Sequence, residues 1–431
     1  MRNPLARVLA ALPAGTPVVA AGTVVLGAAS YVHLGVAGHS LSVDAMANVS
    51  VLWTIVMSIG IGVFFPIEQE LTRIVAARAV LGHGALPVLR KAALLTGGIL
   101  AATLAVLAAA SRPIADSFFH GDLAMVAALG AAFVGLAAGY LTRGILAGLG
   151  RFTAYGTQLG VDGGLRMGLA FGCAAAGAHT ALAFSLILAV APLVSVLVTL
   201  PPLVRVLRPG PAIAWRDLSR GLWLLICSTL LAQLVVNAVV LSTQLLEPTA
   251  VALIAALLNA LVLARVPLFV FGSLQASLLS GLSSAAAAGD RPAFNQLLRR
   301  SGAVICLLGG AGGAVAVALG PWLIRVLFAA PPVLGGWDFL WLSLGTLFYM
   351  LAMLLGQALM VLDRHRFQLL GWVLGTACLV GVTLLPGPIA TRTELAYFAG
   401  SAVTCLGMLA ALRPARRTPS PNPPTAVLDR V

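Results

Sequence analysis

Long apolar runs, cut by charges, prolines and glycine clusters, dominate the chain from end to end. A helix that crosses the hydrocarbon core of a membrane needs roughly 20 mostly apolar residues. Dividing the sequence at its polar breaks gives twelve such segments, at about 16–38, 46–70, 92–111, 123–145, 153–177, 181–204, 220–244, 250–282, 301–328, 336–362, 368–388 and 393–412. The expectation is an all-α polytopic membrane protein, because inside lipid each segment has to satisfy its own backbone N–H and C=O groups. An even number of spans places both termini on one side. The start, Met1-Arg2-Asn3 through Arg7 and then apolar residues, has the outline of a secretory signal. With eleven further segments behind it, it reads as an uncleaved first span.

Composition agrees with that pattern. Of 431 residues, 60% are hydrophobic and 9% charged, with a mean hydropathy of +1.03. Ordinary proteins carry about 25% charged residues, so the charges here are too few to cover a water-facing surface. They are also lopsided: 26 Lys and Arg against 13 Asp and Glu give a formal charge of +13, an excess that suggests nucleic acid until the basic residues are placed on the spans. With a cytoplasmic N-terminus, 21 of the 26 fall on the inner side, Arg143 among them. Arg112, Arg325 and Arg392 fall outside, and Arg166 and Arg265 lie within spans. Basic residues in short inner loops set orientation, so the excess marks topology and no nucleic-acid partner is expected. Cys173, Cys227, Cys306, Cys378 and Cys405 all sit in apolar runs without a CxxC or a nearby His, and read as small packing residues with no metal or disulfide role.

The segments fall into two sets of six. Residues 1–15 form a cytoplasmic N-terminus, 16–204 hold spans one to six, 205–219 link the halves, and 220–412 hold spans seven to twelve. Residues 413–431, proline-rich and polar, are expected to be a disordered cytoplasmic tail. The halves look duplicated: Gln69 pairs with Gln275, Pro113 with Pro321, and Arg90-Lys91 with Arg299-Arg300. Arg151-Phe152-x-x-x-Gly156 pairs with Arg366-Phe367-x-x-x-Gly371. Six spans per half give copies of the same orientation, related by an axis along the membrane normal.

Without an extramembrane domain, function has to lie in the spans, where polar residues are costly and each is a candidate. Arg265 lies deep in span eight, and Pro267 two residues on kinks the helix there. Gly60, Gly62 and Pro66 stand at a similar place in span two, so both halves have an irregular helix toward a central path. Asp162 and Arg166 form an i,i+4 pair in span five; the acid is the candidate for ion coupling, and a closed structural pair is the alternative. Gln233 and Asn237 on span seven and Asn259 on span eight suit sugar hydroxyls, or equally one another. Glu68, Gln69, Glu70 and Arg73 at the inner end of span two are placed at headgroup level and suit a gating contact. His33 faces a cavity or packs, and Trp337 and Trp341 read as interfacial anchors. No phosphate-binding loop for ATP is present. The acid-poor outer loops argue against a membrane glycosyltransferase, so no enzyme and no cofactor are expected.

The stretch Arg265-Val-Pro267 through Gln275, Gly289-Asp290, Phe294-x-x-Leu297-Leu298-Arg299-Arg300 and Gly320-Pro321-Trp-Leu-Ile resembles the eighth and ninth spans of bacterial polysaccharide flippases. Leu146-x-Gly148-Leu149-Gly150-Arg151-Phe152 resembles their loop after span four. These belong to the multidrug/oligosaccharidyl-lipid/polysaccharide exporter superfamily. The resemblance implies two six-helix lobes around a V-shaped cavity lined by spans one, two, seven and eight, in a bacterial cytoplasmic membrane. It also implies a polyprenyl-(pyro)phosphate-linked glycan as substrate, membrane lipids around it, and glycosyltransferases of the same pathway as partners. Arg265 would hold the phosphate, since a guanidinium bonds phosphate oxygens in pairs and keeps its charge. Span one lacks the acid common in the drug-exporter branch. Two alternatives stand beside this one: an ion-coupled small-molecule carrier, although Gly82-His83-Gly84-Ala85-Leu86-Pro87 lacks the Gly-x-x-x-Asp-Arg loop of major-facilitator carriers, and a non-transporting partner of a glycosyltransferase.

Overall fold

A computed structural model describes residues 16–247, 249–264, 266–328 and 333–412. Among these the regular structure is wholly helical. The long helices are α1 (Thr16–Ser40), α2 (Val43–Val80), α3 (Leu86–Ala109), α4 (Leu123–Gly148), α5 (Phe152–Ala175) and α6 (Ala181–Val206). The second half supplies α7 (Leu222–Leu246), α8 (Val251–Ala264), α9 (Val266–Ala287), α10 (Arg291–Phe328), α11 (Gly336–Val361), α12 (His365–Thr383) and α13 (Ile389–Leu412). Ten of the described helices are long and apolar enough to cross a membrane. The expected fifth span is present as α5, where six glycines and the Asp162–Arg166 pair lower its hydropathy. The expected eighth span is represented by α8 and α9, on either side of residue 265.

Polar side chains start several helices. Ser42 accepts from Ala45 N ahead of α2 (3.3 Å), Asp122 from Ala124 N ahead of α4 (2.8 Å) and Asp290 from Ala293 N ahead of α10 (2.9 Å). Each satisfies one of the orphan N–H groups of a first turn. At the end carrying the Arg-rich loops, α4 and α11 stop in the same way. Gly150 (φ 67°) donates to Ala147 O and Arg151 to Leu146 O, while Asp363 (φ 58°) donates to Met360 O and Arg364 to Leu359 O. These are paired left-handed stops at the loops whose sequences, Arg151-Phe152 and Arg366-Phe367, the two halves share.

Buried apolar residues separate into one large cluster within α1–α6, extending to Leu222, Ile226 and Ala276, and others from Ala232 to Met408. That separation makes two lobes. In the first, α1 and α5 touch backbone to backbone: a Cβ on Gly22 would lie 2.3 Å from Gly156 O, and one on Gly163 2.7 Å from Leu26 Cα. Lipid supplies no hydrophobic drive between helices, so close approach through small residues is what binds this pair. The exposed faces carry Leu94, Val106, Leu197, Trp223, Leu245 and Leu307, a surface suited to acyl chains and not to water. The protein is a multi-pass membrane protein.

The lobes meet along α2 with α7 and α9, and α1 with α9. Helix α2 is irregular where the sequence leads one to expect it, with a π-helical turn over Val56–Gly60 and Pro66 beyond it. Gly62 lets α7 come close, since a Cβ there would meet Leu230 Cδ2 at 2.3 Å. The segment between the halves lies against the α2–α3 loop. Leu86 N donates to Arg208 O (3.1 Å), Arg78 to Pro211 O (2.5 Å) and Lys91 to Ile213 O, and Lys91 Nζ also sits 5.2 Å over the Trp215 ring.

Candidate functional site

Two clefts with polar lining residues interrupt this apolar bundle, and a buried ion pair stands between them. Arg143 Nε donates to Glu68 Oε2 (3.0 Å), and the Tyr155 hydroxyl donates to Glu68 Oε1 (2.7 Å). Both charged side chains are almost fully buried. The Arg143 guanidinium also lies 4.4 Å from the Tyr140 ring centre, over its electron-rich face. Gly144 makes the pairing possible: a Cβ there would strike Leu71 and the Glu68 backbone at 3.0 Å or less, so only glycine lets α4 seat against α2 at this level. On the sequence alone Arg143 counts among the arginines of the inner side; in the structure it is a buried residue of α4, which continues to Gly148.

On one side of this pair, a cleft of about 180 Å³ lies within the first lobe. Its polar lining is Thr23, Ser30, Tyr140, Arg143, Asp162 and Arg166. Asp162 and Arg166 form a bidentate pair at 2.8 and 3.2 Å, with both residues 3% exposed or less. A single change, Asp162→Asn, leaves Arg166 buried with a weaker partner and should cost about 1.5–3 kcal/mol of stability. The double change Asp162→Leu/Arg166→Met should restore most of it, because an apolar pair of similar volume replaces a buried ion pair nearly neutrally. Thermal unfolding of the purified variants reads both; a double variant no better than the single one contradicts the assignment.

On the other side, a small chamber of about 40 Å³ lies between the lobes. Glu68, Gln69, Thr72 and Tyr155 line it from the first lobe, and Gln275, Leu279 and Gln357 from the second. Gln69 and Gln275, the pair matched by the internal repeat, therefore face one cavity. Nε2 of Gln275 and both polar atoms of Gln357 are buried without a hydrogen-bond partner. Just beside the chamber, Glu70 holds Arg73 (2.5 and 2.9 Å) and lies 3.7 Å from His365 Nε2 of the second lobe. His365 in turn lies 3.4 Å from Asp363. Glu68, Gln69 and Glu70 are thus buried at the lobe junction, 8% exposed or less, and Arg73 is half-buried beside them.

The remaining expected site residues are more scattered. On α7, Asn237 Nδ2 donates to Gln233 O one turn back (2.8 Å). Arg265 lies outside the described residues, and so does the side chain of Asn259. His33 is fully buried against Phe184, with ring centres 6.2 Å apart. Beside Asp162, the acids Glu68 and Glu394 are buried, and neither carboxylate oxygen of Glu394 has a hydrogen-bond partner. Gln357 went unnoticed in the sequence, although an amide inside the apolar run 336–362 was a usable signal.

The chain shares the two-lobed helical fold of the MATE transporters. It superposes on the eukaryotic MATE transporter AtDTX14 with a TM-score of 0.74 at 14% identity, covering 93% of this chain and 94% of that one. On a point mutant of the Vibrio cholerae MATE transporter VcmN the TM-score is 0.73 at 16% identity, with 92% and 95% covered. A multidrug resistance MATE family transporter of the MOP superfamily in an outward-facing conformation gives 0.72 at 13% identity, with 92% and 94% covered. By sequence the chain is similar to the uncharacterized protein Rv1510 of Mycobacterium tuberculosis (strain ATCC 25618 / H37Rv), 29% identical over 414 residues covering 91% of this chain and 90% of that protein. The uncharacterized protein MT1558/MT1560 of strain CDC 1551 / Oshkosh matches equally. No model of a known protein family matches the chain.

Proposed function

We propose that the protein is a membrane exporter of the flippase type. It carries a polyprenyl-(pyro)phosphate-linked sugar or oligosaccharide from the inner to the outer leaflet of a bacterial cytoplasmic membrane, for cell-envelope polysaccharide synthesis. The two lobes rock about the central site, the head group rides between them, and the prenyl tail stays in lipid. Arg265 holds the phosphate, Gln233, Asn237 and Asn259 meet sugar hydroxyls, and glycosyltransferases of the same pathway supply the substrate. Glu68, Gln69 and Arg73 belong to the gate at the basic end, which is the cytoplasmic side with both termini. The observation that supports this reading is an amide-lined chamber at the junction of the two lobes.

The rival reading, ion-coupled drug efflux, draws on the multidrug neighbour. Against it, the one carboxylate in the chamber is already held by Arg143 and Tyr155, which leaves no free anion among the described lining residues for a cationic drug. Proteoliposomes separate the two. Fluorescent polyprenyl-phosphate sugar should flip with wild type and slow at least tenfold with Arg265→Ala, and ethidium should not be transported. Ethidium transport without lipid flipping would reverse the assignment.

A further inference from the structure

Where the lobes touch at the basic end, one imidazole stands between two carboxylates. His365, the first residue of α12, is 4% exposed. Its Nε2 lies 3.7 Å from Glu70 Oε2 on the first lobe, and its Nδ1 lies 3.4 Å from Asp363 Oδ1 on its own lobe. Nε2 has no hydrogen-bond partner, so what reaches it from Glu70 is charge across a short gap. Gly221, the residue before α7, seats the ring: a Cβ there would come 2.5 Å from Nε2 and 2.7 Å from Cε1. A carboxylate only accepts hydrogen bonds, and a neutral imidazole has a single N–H. With a carboxylate facing each nitrogen, the neutral ring has to turn a lone pair toward one of them. Only the imidazolium, with an N–H on both sides, suits both.

The surrounding charges agree. Glu70 on α2, Asp217 on the helical turn Trp215–Ser219 and Asp363 ahead of α12 are acids. Arg73, held by Glu70 and within the field of Asp363 and Asp217, and Arg220, 3.9 Å from Asp363, are bases. Of the other charged groups described on these elements, Glu68 is paired with Arg143, Arg78 and Arg364 are bonded to backbone carbonyls, and Arg216 and Arg366 are exposed. Three acids against two arginines leave one negative charge, which a protonated His365 cancels. We propose that His365 is the second lobe's half of a pH-sensitive latch on the gate at the basic end. Its imidazolium holds Glu70 of the first lobe to Asp363 of the second, and loss of its proton lets the lobes part. This rests on the exporter reading, in which the lobes rock, and adds to it the residue that ties the gate to pH. Histidine is the side chain whose ordinary charge change falls near neutral pH. Acid therefore favours the closed gate and alkali the open one.

The test needs no substrate. Spin labels replace Leu81, exposed at the end of α2, and Phe367, exposed in the first turn of α12. They report the distance between the lobes in the full-length protein in nanodiscs, with the five native cysteines replaced by alanine. In this background the fraction at the short distance should fall about threefold from about pH 5 to about pH 8. His365→Gln should give one distribution at every pH, with no more of the short distance than the background has at the alkaline end. Gly221→Ala, which crowds the ring and alters no charge, should lose the pH response in the same way. The titration of the background carries the test even where a variant fails to fold. A distribution that does not change with pH there, or a His365→Gln protein that responds as the background does, overturns the latch. A pH-dependent gate in a protein that does not flip polyprenyl-linked sugar would leave the latch standing and remove the flippase reading.

Discussion

Replacing Arg143 by methionine is expected to destabilise the protein by about 3–5 kcal/mol, the usual cost of stranding one member of a buried ion pair. The Glu68 carboxylate would stay buried with only the Tyr155 hydroxyl for company. At 4% exposed it has little water to replace the lost partner. The rescue is the informative half: Glu68→Gln/Arg143→Met should recover to within about 1–2 kcal/mol of wild type, since buried pairs exchanged together are nearly neutral. Thermal unfolding or graded denaturation in mixed micelles measures both. A single variant as stable as wild type would mean that Glu68 and Arg143 do not face each other in the membrane. The same pair walls the first-lobe cleft from the chamber, so the single variant should also open a polar connection between the two.

Arg143 also shows where the sequence stopped being legible. The span pattern locates the helices well, because lipid forces each backbone to close on itself and the apolar runs are set by bilayer thickness. Ends are less legible. Arg143 stands only two positions from the break placed at 145, and a helix continuing to Gly148 turns an inner-side marker into a buried group. Which side of a helix a polar residue faces depends on neighbours distant in sequence. Glu68 meets Arg143 and Tyr155 from two other helices, and no spacing within α2 announces either. Asp162 and Arg166 were readable as a pair because both lie on one helix, one turn apart. Gln69 and Gln275 were readable as repeat mates, but their shared chamber needed the lobes in place, and so did the third amide, Gln357.

Transport by two rocking lobes requires their junction to part, and Gly62 with Leu230 offers a point at which to hold it shut. A Cβ on Gly62 would lie 3.8 Å from Leu230 Cα, and the leucine side chain that now fills this space would be gone in the double variant. The two backbones come close enough here for a cross-link to be tried, and Gly62→Cys/Leu230→Cys should form a disulfide on oxidation once the five native cysteines are replaced by alanine. The most direct measurement is flipping of fluorescent polyprenyl-phosphate sugar by this variant in proteoliposomes, oxidised and then reduced. The expected result is flipping reduced at least twentyfold in the oxidised protein and restored by reductant to the rate of the cysteine-free background. Equal flipping in both states, or none in the cysteine-free background itself, would contradict the account.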